Sequence, residues 1–178
     1  MTRLTRRSAL KLVHWTMVPL FAWFTLVQPR DVARWGHWWV ELHSVFGLVF
    51  VSLALLWTAD YLRRGLAGRP GPKLPDWGKR LHRRLHLTLV WGMFAVAVTG
   101  FLLGLTASRQ LFAGDVVPIA VPLDKPLAND WIGIVHSIEF YALAAVAIAH
   151  ASFHIWRHIK LRDNALRIMM PKMLHRYL

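Results

Sequence analysis

The sequence contains no cysteine among its 178 residues. This absence excludes disulfides, iron–sulfur clusters held by thiolates and the Cys-x-x-Cys-His attachment of c-type haem. Any metal ion or cofactor bound by the chain must therefore be held by histidine, methionine or oxygen ligands.

Acidic residues are also scarce, with nine Asp and Glu against 22 Lys and Arg. Charged residues make up 17% of the chain and hydrophobic residues 56%. A soluble domain with a charged shell fits this composition poorly. A nucleic-acid-binding protein would present its basic residues on a soluble face, whereas these residues lie between apolar runs. The composition therefore favours an integral membrane protein with no nucleic-acid partner.

Four apolar stretches are long enough to cross a bilayer, whose ~30 Å hydrocarbon core needs about 20 residues of helix. They cover residues 11–28, 39–61, 85–106 and 131–156. The basic N-terminus resembles the start of a signal peptide, but no small-residue cleavage site follows its apolar run. We therefore interpret the first stretch as a membrane span, which Pro19 is expected to kink.

The basic residues indicate how the spans are oriented. Eighteen of the 22 Lys and Arg lie at the N-terminus, between the second and third spans, or after the fourth span, and four lie in the other two loops. The positive-inside rule places the basic segments in the cytoplasm. We therefore expect residues 1–178 to form a single membrane domain in contact with lipid, with both termini cytoplasmic. The outer loop "DVVPIAVPLDKPLAND" is predicted to be irregular or to form a short interfacial helix.

Four of the ten histidines form a pattern within the spans. His14 lies near the cytoplasmic start of the first span, and His43 lies at a similar depth from the outer start of the second. On the fourth span, His136 lies near the outer end and His150 lies nearer the inner end. Polar groups inside a membrane are costly and usually functional. The pattern gives one inner pair and one outer pair of imidazoles.

This pattern suits two stacked b-type haems, because a six-coordinate haem iron takes an axial nitrogen from each side of the porphyrin. Fourteen helical residues at about 100° each return to within ~40° of the starting direction, so His136 and His150 share a face and lie ~21 Å apart. The inner haem would be held by His14 and His150, and the outer haem by His43 and His136.

Alternatives to this interpretation stay open. A buried histidine can hydrogen-bond between helices, and His154 lies on the same stripe as His150. A zinc or copper site is less attractive, because the four candidates are split between two membrane halves. Gly47, one turn from His43, would let a macrocycle approach the backbone. Glu139, one turn from His136, can orient that imidazole, relay a proton or bond a neighbouring helix.

The surplus histidines lie mainly towards the cytoplasmic side. An imidazole has an unperturbed pKa of ~6.5 and can exchange a proton near neutral pH. Four of them are therefore predicted to surround a site that delivers protons to a quinone: His82, His86, His154 and His158. The alternative is that they are solvated groups at the interface beside basic residues.

Several short motifs resemble the bacterial cytochrome b561 family over nearly the whole chain. They are "LVHW" in the first span, "ELHSVFG" in the second, "IVHS" and "IAHASFHIWRH" in the fourth, and "RDNALRIMMP" after it. The wider group includes the b-type cytochrome subunits of membrane hydrogenases and formate dehydrogenases. The resemblance implies an all-α, integral membrane four-helix bundle that binds two haem b groups. Carried across by position, the axial ligands to the haem iron are His14, His43, His136 and His150, which favours His150 over His154.

The resemblance further implies transmembrane electron transfer in the bacterial inner (plasma) membrane, with electrons exchanged with ubiquinone or menaquinone. Some members are associated with superoxide oxidation. The protein would be a redox electron carrier or a quinone-linked oxidoreductase, with no catalytic residue assigned. Its expected partners are a periplasmic redox donor or acceptor and a second copy of the chain in a homodimer. The alternatives are a membrane-anchor cytochrome b subunit of a larger dehydrogenase and a haem-free transporter or sensor that uses its histidines.

Overall fold

Four long helices dominate the computed structural model, which describes residues 5–170 and 175–176. They are α1 (Arg6–Leu26), α3 (His37–Arg64), α4 (Asp76–Thr106) and α5 (Pro126–Lys160). Short helices α2 (Pro29–Val32) and α6 (Ala165–Met169) follow α1 and α5, and a 3₁₀ turn (Ala33–Trp35) leads into α3. Each long helix is long and apolar enough to cross a membrane. The prediction of an all-α membrane bundle is confirmed.

The helices extend beyond the predicted spans. Helix α4 begins at Asp76, nine residues before the apolar run, because Lys, Arg and Leu in this segment favour helix whether or not they lie in lipid. Helix α5 begins at Pro126, and proline suits the first helical position because the missing N–H would have no partner there. Its last turn carries Arg157, His158 and Lys160, which interact favourably with the negative end of the helix dipole. Helix α1 continues through Pro19.

The outer loop between α4 and α5 is irregular over residues 119–125, as predicted, and differs from the prediction at its start. It contains a two-stranded antiparallel hairpin, with β1 (Phe112–Ala113) paired to β2 (Val117–Pro118). Gly114 and Asp115 both have positive φ, +61° and 57°. Glycine adopts this conformation freely and aspartate tolerates it better than most residues do. The chain can therefore reverse tightly here.

The exterior of the bundle is apolar along the long helices. Ile148 and Leu56 are 67% and 63% exposed, and other large aliphatic side chains on α5, such as Ile138 and Ile159, are similarly open. A soluble monomer rarely exposes so much contiguous apolar surface. In a bilayer this surface contacts lipid.

The core lies in the middle of the bundle. Helix α4 packs along α5 and against α3, and α1 packs on α3. Helices α1 and α5 meet through aromatic rings, with Phe140 4.9 Å from Phe21 and 6.2 Å from Phe24 between centroids. We call Phe21, Phe24, Phe50 and Phe140 the aromatic layer. Gly92 allows α4 to approach α5, because a Cβ at this position would lie 2.6 Å from Leu143.

The end of the bundle at which α1 begins and α5 ends is held by polar contacts to the segment after α5. Arg157 is 2% exposed and donates two hydrogen bonds to Asp163, at 3.0 and 2.7 Å. The indole of Trp15 donates to the carbonyl of Met169 at 2.6 Å. The described part of the C-terminal segment therefore packs back onto the bundle beside the inner histidines.

Candidate haem sites

The outer site is formed by His43 on α3 and His136 on α5. The two imidazoles are close enough to interact electrostatically. The ring of Phe24, from the aromatic layer, packs edge-on against His43 at 5.1 Å. The structure therefore brings the predicted outer pair together on the outer side of the core.

His136 is oriented by two neighbouring polar side chains. Its Nδ1 lies 2.8 Å from Thr99 Oγ1, and Thr99 in turn donates to Glu139 Oε1. An Nδ1–H that donates to Thr99 would complete a chain of donors ending at the carboxylate and would leave the Nε2 lone pair free. Gly100 lies against the same ring, where a Cβ would be 3.3 Å from His136 Cε1.

The inner site is formed by His14 on α1 and His150 on α5. These two imidazoles also interact electrostatically. The His14 ring contacts two indoles, with centroids 5.7 Å from that of Trp15 and 6.3 Å from that of Trp57. The predicted inner pair is therefore brought to one level of the bundle, on the side of the aromatic layer that is predicted to face the cytoplasm.

Three of these four imidazoles have a buried nitrogen without a partner. The Nδ1 atoms of His14, His43 and His150 are buried and make no hydrogen bond to the described part of the chain. A buried polar group left without a partner costs about 1–3 kcal/mol, so such atoms are rare and need an explanation. Interhelical hydrogen bonding accounts for His136, through Thr99, but not for the other three. These three unpaired imidazole nitrogens indicate that a bound group outside the chain is their partner.

Space for a flat macrocycle is indicated at the outer site. In the described residues, no atom outside the neighbouring backbone of α3 lies within 4 Å of the position that a Cβ of Gly47 would occupy. Gly47 is on α3, one turn from His43, as the sequence interpretation required. Four neutral nitrogen donors, no thiolate and this open position fit b-type haem with two axial imidazoles.

The surplus histidines are divided between two places. His82, His86 and His154 form a group whose ligand atoms all lie within 4.8 Å of one another, next to His150. We call these three residues the histidine triad. His158 lies apart from it, with its Nδ1 3.2 Å from the carbonyl oxygen of Asp163. It lines a separate cavity of about 260 Å³ with Arg162 and Arg167.

The model of the family described as prokaryotic cytochrome b561 matches residues 6–172. The chain belongs to the prokaryotic cytochrome b561 family. No curated protein and no solved structure gives a significant match to the chain. Members of this family are multi-pass membrane proteins that transfer electrons across the membrane through b-type haems. The haems are bound by histidines. The resemblance read from the histidine motifs is confirmed, whereas the assignment of individual ligands stays a prediction.

The sequence interpretation of this b561 chain missed Thr99. A threonine inside an apolar helix commonly bonds the carbonyl one turn back, and Thr99 also makes that contact, 3.2 Å from Ala95 O. Only the packing of α4 on α5 shows that its hydroxyl also reaches His136 and Glu139. Its position in the same half of the bundle as His136 was the one available signal in the sequence.

Proposed function

We propose that this chain holds two b haems, the inner one between His14 and His150 and the outer one between His43 and His136. The observation that carries the proposal is two levels of buried imidazoles with unpaired Nδ1 atoms, on either side of the aromatic layer. When bound, the haems supply one-electron redox chemistry. The chain supplies the ligands, the spacing and an apolar surrounding that excludes water.

The residues around the ligands hold these imidazoles in place. Thr99 and Glu139 fix the tautomer and ring orientation of His136, and the two indoles confine the His14 ring. The aromatic layer, where Phe21 and Phe24 of α1 contact Phe140 of α5, places apolar side chains between the two levels. Each haem is therefore expected to have its own environment and its own reduction potential.

We also infer that the protein exchanges electrons with a membrane quinone, ubiquinone or menaquinone, near the cytoplasmic leaflet. Reduction of a quinone takes up two protons with two electrons, and histidine can supply protons near neutral pH. The histidine triad lies beside His150, and His158 lines a cavity with two arginines at the same end. The outer side would then face a periplasmic donor or acceptor, with both termini in the cytoplasm of a bacterial inner membrane.

Haem content of the purified chain tests the main proposal. A pyridine-haemochrome assay should give two haems per chain, and acid–acetone should extract all of the pigment because no thioether can form. One haem per chain, or none, would contradict the two-site arrangement.

Substitution of single ligands tests which haem each residue holds. His43→Ala and His136→Ala should remove the outer haem and leave the inner one visible in the spectrum, and His14→Ala and His150→Ala should do the reverse. His154→Ala is the matched control and should keep both haems. Loss of the inner haem in His154→Ala but not in His150→Ala would show that the ligand on α5 has been misassigned.

A further inference from the structure

The histidine triad is not used by the proposed haem ligation. His82 and His86 come from the cytoplasmic end of α4, one turn apart, and His154 comes from α5. Their ring centroids lie 4.1 Å (His82–His86), 5.7 Å (His82–His154) and 5.6 Å (His86–His154) apart. The sequence analysis grouped these three histidines with His158 around one site, and the structure brings the three together without His158.

We infer that His82, His86 and His154 form a binding site for a divalent transition-metal cation of the zinc type, directly beside His150 but without using that imidazole as a ligand. The inference depends on the proposed function only in leaving His150 to the inner haem, and it does not depend on quinone exchange. Coordination by three imidazoles, with a fourth position open to water, is a known arrangement for zinc in proteins.

The nitrogen atoms of the triad are available for such an ion. His82 is 2% exposed, and its Nδ1 and the Nε2 of His154 are buried without a hydrogen-bond partner in the described residues. His86 Nδ1 lies 2.7 Å from the His82 carbonyl, so it is the donor and the Nε2 lone pair is free. One hydrogen bond to the outer nitrogen is the usual way to orient a metal-binding imidazole.

The distances require only a small adjustment. Zn–N bonds of 2.0–2.1 Å in a tetrahedral site place the nitrogen atoms about 3.3 Å apart, and the triad holds its ligand atoms within 4.8 Å. Ring rotations that move each nitrogen by roughly 1 Å would close this gap. Gly68, in the loop between α3 and α4, passes over the triad, and a Cβ there would lie 3.4 Å from His86 Nε2. Gly68 therefore lies close to two of the three imidazoles, His82 and His86, and adds no side chain there.

One nearby cation opposes metal binding. Arg157 interacts electrostatically with all three imidazoles. Its charge is compensated by Asp163, which accepts two hydrogen bonds from it and interacts with His154. The triad contains no carboxylate. A reversible site that exchanges zinc with solution therefore fits the charges better than a permanent structural one.

Zinc binding to the haem-loaded, full-length protein in detergent tests the inference. The protein is stripped of adventitious metal with a chelator and dialysed against buffered free Zn²⁺ up to high micromolar concentration, with no quinone present. Zinc and haem are then measured per chain. One saturable zinc per chain is expected, and the zinc-edge X-ray absorption spectrum should show three imidazole ligands and one oxygen at about 2.0–2.1 Å.

Variants locate the ion. His82→Gln, His86→Gln and His154→Gln should each weaken zinc binding by more than the 10–100-fold typical of losing an outer-sphere partner, with both haems retained. His158→Gln is the matched control, one turn from His154 on α5, and should bind zinc normally. If one triad variant fails to fold or loses haem, the other two and the spectrum of the unchanged chain decide the question.

Three results would overturn the inference. They are an absence of saturable zinc, a spectrum with fewer than three imidazoles, and a loss of zinc in His37→Gln with retention in the triad variants. The third would place the ion at the outer-face group of His37, Glu41 and Asp115. A failed quinone assay with normal zinc binding would leave the metal site standing, so the two proposals are tested separately.

Discussion

The hydrogen-bonded chain from His136 through Thr99 to Glu139 predicts how one carboxylate controls the outer haem. Glu139→Gln removes a negative charge and keeps the size of the side chain. A nearby anion favours the ferric over the ferrous state, so the substitution should raise the reduction potential of the outer haem and leave that of the inner haem nearly unchanged.

For a given effective dielectric constant, the distances in the structure limit this shift. Glu139 Oε1 lies 4.0 Å from His136 Nδ1, and two unit charges at that distance interact by about 4 kcal/mol at an effective dielectric constant of about 20. A tenfold change in an equilibrium constant corresponds to ~1.36 kcal/mol and, for a one-electron couple, to ~59 mV. An interaction of about 4 kcal/mol therefore corresponds to a shift in reduction potential of about 170 mV. An iron bound at Nε2 lies beyond the far side of the ring, so its distance from the carboxylate is longer. We therefore expect an increase of several tens of millivolts.

A spectroelectrochemical titration of the purified protein measures both potentials. Thr99→Val keeps the carboxylate but breaks the bridge, so it should give a smaller shift together with altered electron paramagnetic resonance g values of the outer haem. Asp130→Asn is the matched control, because it removes the same charge from an exposed position on α5. It should leave the reduction potentials of both haems nearly unchanged. Equal shifts of both haems, or a decrease in the outer potential after Glu139→Gln, would refute the reasoning.

Two further predictions concern quinone exchange and helix packing. In proteins that retain both haems, His158→Ala and His86→Ala should slow quinol-driven haem reduction in a stopped-flow assay. Unchanged rates in both, with a loss on altering residues 115–123, would move the quinone site to the outer leaflet. Gly92→Ala should destabilise the bundle by about 1–3 kcal/mol, because the added Cβ would lie 2.6 Å from Leu143 and overpacking carries that cost. Unfolding in mixed micelles measures the change, and an unaltered midpoint would show that α4 can shift freely.

The sequence was sufficient to predict the number of long helices and the levels of the histidines, because both depend on properties of single helices. Length and hydropathy define a span, and helix periodicity relates His136 to His150 without knowledge of the neighbours. The start of α4 at Asp76 could not be predicted from hydropathy. Its first turns are helical but polar, and hydropathy detects only the apolar part of a helix.

The contacts between helices could not be predicted in this way. The convergence of His82 and His86 with His154, and the reach of Thr99 to His136, both depend on the rotation of α4 about its axis relative to α5. That rotation is set by close packing at positions such as Gly92. The sequence analysis grouped His158 with the triad because all four histidines lie towards the predicted cytoplasmic ends of their helices. The structure separates them, since His158 bonds the segment after α5.

The distribution of polar groups along the bundle explains why these contacts matter for function. In the described residues, the core between the two histidine levels consists of Met17, Ala54, Val96, Leu143 and the aromatic layer. These side chains offer no hydrogen-bond partner to an imidazole above or below them, and the polar atoms packed against them in this cluster are the indole nitrogens of Trp23 and Trp57. A buried histidine therefore depends mainly on partners at its own level. At the outer level Thr99 and Glu139 provide one partner, for His136. At the inner level His14 and His150 have an unpaired Nδ1, and the nearest additional donors are the triad. A bundle with polar groups in its middle could satisfy these histidines internally, whereas this one leaves their nitrogen atoms to ligands from outside the chain.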